Sequence, residues 1–293
     1  MSIIKKIQGL SLEDIKWLLE FGKPNKQTTI YNLRKNSFKG LKPPVFFLST
    51  GRCGTKWFSE VMKHDKSSKV LHSPYPVLAV QSKLAYEILS DKKAIDKVKI
   101  DLLKEIILTA RENHLRYSYK TDRRIIETNN YITFFAPVLA ELFPQAKFVH
   151  LVRHPAEFVR SGLRRDYYTN SANDIKRIIP SGISAAEWQE CSRIEKISHL
   201  WSETNSFVEK MKSDYPSQFY TFSFADFDTD DVQKMFGFIG VDVSDKVVAS
   251  NINKPVNAQN HGNVQLFSDW NSEDKAKLVS ICGKQAKKYG FKI

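Results

Sequence analysis

The 293-residue chain predicts an α/β fold, a parallel sheet flanked by helices on a P-loop-like plan, with a helical N-terminal extension. Three observations carry this. The apolar run Val45–Leu48 stops at Ser49-Thr50-Gly51, and apolar residues resume at helical spacing over 57–62, which reads as strand, loop, helix. A second unit of the same kind runs from residues 148–152 through Arg153-His154-Pro155 into a helix carrying Phe158, Val159 and Leu163, with Pro155 suited to a first helical turn. Further short apolar runs at 69–72 and 219–222 read as strands, separated by helical patterns that include 136–143 and 190–211. Strands alternating with helices pack as a covered parallel sheet, and such sheets bind ligands at the carboxyl ends of their strands.

Residues 1–40 read as the extension. Ser11-Leu12-Glu13-Asp14 has the spacing of a capping box, and Ile15, Leu18, Leu19 and Phe21 follow as an amphipathic helix that ends before Gly22 and Pro24. No repeat, low-complexity tract or long Gly/Ser linker divides 41–293, which reads as one domain.

Hydrophobic residues at 42% and charged residues at 26% fit a globular chain with a sizeable core rather than a disordered one. The balance of 45 basic against 32 acidic residues leaves +13, which favours anionic partners such as nucleotides, acidic glycans, nucleic acid or anionic lipid. Cys53, Cys191 and Cys282 are odd in number and far apart, so a reduced, cytoplasmic location is expected. Charges interrupt the apolar positions of the N-terminus, so no secretory leader is expected. The most apolar later stretch, 132–143, is shorter than the roughly 20 residues a bilayer requires and contains Pro137 and Glu141, so no membrane span is expected.

Ser49-Thr50-Gly51-Arg52-Cys53-Gly54-Thr55-Lys56-Trp57 lies where a buried strand meets a helix. Gly51 and Gly54 let backbone N–H groups approach an oxyanion, and the helix dipole adds partial positive charge. Arg52, Thr55 and Lys56 add two cations and a hydroxyl to the same small volume. The glycine spacing and the lysine position depart from the ATP-binding loop G-x-x-x-x-G-K-[ST]. The competing reading is an ordinary glycine-containing turn.

This stretch resembles the 5′-phosphosulfate loop of the PAPS-dependent sulfotransferase superfamily, where PAPS is 3′-phosphoadenosine 5′-phosphosulfate. The resemblance implies that Arg52 stabilises the leaving phosphate, that Gly54, Thr55 and Lys56 bind the 5′-phosphosulfate, and that Trp57 stacks on adenine. Cys53 belongs to the same cofactor-binding loop, but it replaces the usual serine, and Lys56 replaces a commoner hydroxyl residue. The 148–155 stretch, with Arg153 and with Ser161 eight positions later, is similar to the family's 3′-phosphate motif. Arg153 offers a planar fork to two phosphate oxygens and Ser161 a hydroxyl, although an arginine at a strand end is also an ordinary surface ion-pair partner. Glu127-Thr128-Asn129-Asn130 and Phe224-Ala225-Asp226-Phe227 extend the resemblance more weakly. Asn260-His261-Gly262-Asn263 and Trp270 are too faint a match to assign.

The expected activity is transfer of a sulfonyl group from PAPS to a hydroxyl or amine acceptor, a small molecule or a glycan, with carbohydrate sulfation one form of it. The other product is 3′-phosphoadenosine 5′-phosphate (PAP), and no metal is expected. His72, at the end of the strand expected to neighbour the first one on the substrate side, is the candidate base, with Glu127 in reserve. Each also reads as a structural residue. His150 and His154 have no spacing that joins them to cysteines or carboxylates in a metal set. Lys120, Arg123, Arg124, Arg160, Arg164 and Arg165, interleaved with Tyr119, Tyr167 and Tyr168, read either as a contact for an acidic glycan or as a solvated basic face. Two other functions remain open: a P-loop nucleotide or small-molecule kinase needing ATP and magnesium, and a non-catalytic module for acidic polymers. No specific nucleic-acid partner is expected.

Overall fold

The computed structural model describes residues 34, 38–90, 96–252 and 264–293. Its centre is a sheet of five parallel strands: β1 (Val45–Leu48), β2 (Ser68–Leu71), β3 (Arg124–Glu127), β4 (Lys147–Val152) and β5 (Phe219–Ser223), in the order β2-β3-β1-β4-β5. The helices of the described residues are α1 (Thr55–Met62), α2 (Ala79–Ser90), α3 (Lys97–Thr121), α4 (Ala136–Leu142), α5 (Pro155–Leu163), α6 (Ala185–Glu190), α7 (Arg193–Asp214), α8 (Thr229–Ile239), α9 (Asp245–Ile252) and α10 (Ser272–Lys288). The helix predicted from Ser11 to Phe21 and the 260–263 segment lie outside the described residues. None of these helices is long and apolar enough to cross a membrane.

Alternation along the strands splits the core into two layers. Phe46, Leu48, Phe148 and Val152 pack with Leu89, Leu103, Leu139, Trp201 and Leu278 from α2, α3, α4, α7 and α10. Val45, Phe47, Val149 and Leu151 pack on the other side with Phe58 of α1, Phe236 of α8 and Val248 of α9. Each fully buried side chain of this size contributes roughly 1.5–3 kcal/mol.

One expectation is corrected. β3 separates β1 from β2, because it pairs with β1 along one edge and β2 along the other. His72 therefore follows a strand two places from β1, not its neighbour. The reading missed β3 because Arg124 and Glu127 leave only two apolar residues between them. The long helix expected over 190–211 is α7, which begins at Arg193 because Ser192 caps it reciprocally with Glu195.

The connectivity positions the site. α1, leaving β1, packs in one layer through Phe58, while α5, leaving the adjacent β4, packs in the other through Phe158 and Val159. Adjacent strands whose chains depart to opposite faces leave a crevice at their carboxyl ends.

His150 lies inside β4, fully buried, with Nε2–H donating to Asn205 Oδ1 at 2.8 Å. Burial pushes its pKa down to about 4. The folded ring therefore stays neutral where an unfolded chain takes up a proton near pH 6.5. Its stabilising contribution is complete above about pH 6.5 and is lost as the pH falls toward 4, because the unfolded state binds the extra proton. Urea midpoints measured from pH 7 to 4 should fall over this window, and His150→Gln should flatten the slope.

Candidate active site

The loop from β1 to α1 is built around left-handed residues: Gly51 at φ +80°, Arg52 at φ +59° and Gly54 at φ +69°. Such residues turn successive N–H groups toward one side and form a concave anion site, reinforced by the N-terminus of α1. Glycine takes this conformation freely, whereas Arg52 does so at a cost of roughly 1–2 kcal/mol. Gly54 has a second reason to lack a side chain. A Cβ there would lie 2.6 Å from Cζ of Phe224, whose ring covers the loop.

Ser49 N–H donates to Thr133 Oγ1 at 2.9 Å and Gly51 N–H to Ser49 Oγ at 3.1 Å, which closes the turn. The Cys53 thiol is buried and donates to the Gly51 carbonyl at 3.1 Å, with burial pushing its pKa up. The thiol is thus part of the loop's interior packing.

The second predicted segment meets this loop. Arg52 Nε donates to Ser161 Oγ at 3.2 Å, and Arg153 Nη1 donates to the Arg52 carbonyl at 3.0 Å. Arg165 Nη1 donates to the same Ser161 oxygen at 3.0 Å. Burial first, then the nearby charges of Arg165 and Arg153, lowers the pKa of Arg52. Arg153 also pairs with Glu157 at 3.3 Å on α5, so the surface ion-pair reading holds for one of its nitrogens. Pro155 and the His154 side chain, which accepts from Ala156 N–H, start α5 and fix this register.

Arg52, Thr55 and His72 line one cavity of about 350 Å³. His72 follows directly on β2, and its Nδ1 lies 3.0 Å from Thr128 Oγ1. Thr128 donates its hydroxyl to the Leu71 carbonyl at 3.4 Å, so it accepts from Nδ1–H, and the network leaves His72 Nε2 unprotonated. Partial burial, with Lys56 adding a like charge, holds the His72 pKa below 6.5.

Other predicted residues stand elsewhere. Lys56 is exposed on the first turn of α1. Trp57 is 8% exposed, meets Phe58 edge to face, and donates Nε1–H to the Asn251 carbonyl at 2.8 Å, so little of its ring is open for stacking. Glu127, the reserve base, is buried with both oxygens held by Arg111 at 2.8 Å, and it does not line the cavity. It is an ion-pair partner. Arg111 also donates to the Pro76 carbonyl at 2.8 Å, so this pair braces the loop that carries His72.

The expected basic cluster divides. Arg165 and Tyr167 line the cavity. Arg123 and Arg124 sit at the start of β3, the opposite end of a parallel sheet, where they donate to the carbonyls of Ser68 and of Ile239 and Gly240. Arg160 turns to Glu157 and to the Gln265 carbonyl, and Tyr168 is tied to the Ile178 carbonyl. Sequence reasoning missed Tyr131, Asn173, Lys176 and Arg177 on the cavity wall. Arg177 stacks 3.3 Å from the Tyr167 ring centre and pairs with Asp174 at 2.8 Å. The adjacent Lys176-Arg177 pair was the available signal, but it lies in an irregular segment whose direction no strand or helix period fixes. Among the described residues no group of His, Cys, Asp and Glu is arranged to hold a metal ion.

A strand-loop-helix anion cradle at the switch point of a parallel sheet defines a P-loop-like nucleotide-dependent transferase. The sulfotransferase family model matches residues 43–245, and the chain belongs to that family of PAPS-dependent enzymes. No curated protein matches it. Among solved structures it is similar to sulfotransferase STF9 from Mycobacterium avium, with a TM-score of 0.50 at 10% identity over 95% of this chain and 85% of that one. It is also similar to the sulfotransferase domain from the curacin biosynthetic pathway (0.49, 16%, covering 86% and 99%) and to mouse sulfotransferase SULT7A1 complexed with PAP (0.43, 16%, covering 90% and 93%).

Gly54→Ala should lower unfolding stability by roughly 1 kcal/mol or more, from its φ together with the Phe224 contact. In urea titrations, adding Phe224→Ala should remove the steric share of that loss while the backbone share remains.

Proposed function

We propose that the enzyme moves the sulfonyl group of PAPS to a hydroxyl or amine of an acceptor, a sugar hydroxyl included, and that residues 41–293 form the catalytic domain. One observation carries this: His72 and the cation Arg52 line the same cavity, and Arg52 is tied directly to Ser161 of the second motif. In this reading the loop N–H groups of residues 52–56, with Thr55 and Lys56, hold the 5′-phosphosulfate. Arg153 and Ser161 bind the 3′-phosphate, and Trp57 borders the adenine. The free thiols of Cys53, Cys191 and Cys282 favour a reducing, cytoplasmic compartment.

The acceptor oxygen or nitrogen attacks sulfur in line with the bridging oxygen of the phosphosulfate. The S–O bond to that bridge breaks, its electron pair stays on the 5′-phosphate of PAP, and the acceptor's proton passes to His72 Nε2. Arg52 stabilises the charge that accumulates on the departing phosphate. Thr128 holds the imidazole in the tautomer this requires.

His72→Ala should reduce turnover by about 10²–10⁴-fold while PAP affinity stays near wild type; unchanged turnover would remove His72 from the role. Because the His72 pKa lies below 6.5, kcat/KM should climb with pH below that value and be level by neutrality, and the variant should lack this limb. Arg52→Ala should abolish turnover in a folded protein. Competitive calorimetry should show PAP binding with little preference for ATP, and turnover should survive chelation. ATP preference with magnesium dependence would favour a kinase, and polymer binding with a steep salt slope and no transfer would favour the non-catalytic reading.

A further inference from the structure

Large apolar side chains stand exposed on segments that adjoin the cavity: Tyr75 at 90%, Val77 at 37%, Val80 at 48%, Leu84 at 37%, Ile175 at 64% and Ile179 at 47%. Scattered exposed apolar residues are ordinary, but a contiguous patch marks a binding surface. Chain connectivity links these to the site. His72 and Ser73 line the cavity, and Tyr75 and Val77 follow in the same loop. Asn173, Lys176 and Arg177 line it too, and Ile175 and Ile179 belong to the same segment. Val80 and Leu84, one turn apart, lie on α2, the helix that packs against the Ala172–Lys176 turn.

The wall behind this rim has the opposite character. Arg52, Arg165, Lys176 and Arg177 line the cavity and no carboxylate does. The sulfated end of a product therefore fits inside and an apolar chain fits on the rim. We infer that the acceptor is an amphiphile, with its hydroxyl or amine head presented to His72 and an alkyl chain laid across Val77, Val80, Leu84, Ile175 and Ile179. The inference rests on the sulfonyl-transfer reading. It adds the class of acceptor, since the sulfated product would carry its charge and its chain in this same order.

The test uses the full chain with bound PAP and two product-like probes, methyl sulfate and hexyl sulfate, the latter below its micelle-forming concentration. A fully buried methylene is worth about 0.8 kcal/mol, or about fourfold in affinity, so five partly covered methylenes should give hexyl sulfate at least a tenfold advantage by calorimetry. The Val80→Gln/Ile175→Gln variant, which leaves the cavity wall intact, should reduce that advantage below about threefold with PAP affinity and circular dichroism unchanged. Equal affinity for the two probes, or an advantage that survives in the variant, would overturn the inference. So would wild-type self-association that the variant abolishes, which would assign the patch to a second copy of the chain. Retention on phosphatidylglycerol vesicles without a chain-length preference would overturn it as well, by making the patch a membrane contact. Failure of PAP to bind would sink the donor reading and this inference with it, whereas PAP binding without a chain-length preference sinks this inference alone.

Discussion

The site depends on holding like charges together before any anion arrives. Arg52, Arg153 and Arg165 converge where the chain leaves β1 and β4, and their mutual repulsion is part of what lowers the proton affinity of Arg52. Neutral acceptors, with Glu157 beside Arg153, help keep them in place. The Arg52 carbonyl receives Arg153, and the Ser161 oxygen receives both Arg52 and Arg165. A hydroxyl oxygen accepts two such bonds and still has its own proton to donate. Ser161 therefore acts as a neutral spacer between two cations while remaining able to offer a hydrogen bond to a phosphate.

The same economy of position governs His72. Its loop lies over the buried Arg111–Glu127 pair, with Arg111 also holding Pro76 and Asn129 Nδ2 holding the Val77 carbonyl at 3.0 Å. Removing one member of a buried pair typically costs about 3–5 kcal/mol, because the other is left charged and uncompensated. Glu127 thus bears on His72 through the loop above it. The imidazole is exposed and held by Thr128, which suits the base role proposed for it.

The two strand-loop-helix units were legible in the sequence because their apolar runs are uninterrupted and their turns carry Gly and Pro, and the loop residues fall where those signals predict. β3 was not legible. Its apolar part is Ile125-Ile126, flanked by charges that look like surface residues but are buried or bonded by neighbouring elements. For the same reason Arg123 and Arg124 looked like partners of Arg165: sequence proximity cannot tell which end of a parallel strand a residue occupies. Tyr131, Lys176 and Arg177 arrive at the cavity through turns, where no period announces direction. Trp57 shows the opposite failure, since a residue that the motif assigns to the nucleotide is largely enclosed by Phe58 and the end of α9.

Arg52 also bears on how this protein can change over time. Its backbone conformation is one that glycine would adopt without penalty, while its guanidinium is what the proposed chemistry needs. Fold and catalysis therefore favour different residues at a single position. In a lineage released from selection for turnover, the backbone conformation would favour drift toward glycine there, opposed by the hydrogen bond that the guanidinium makes to Ser161.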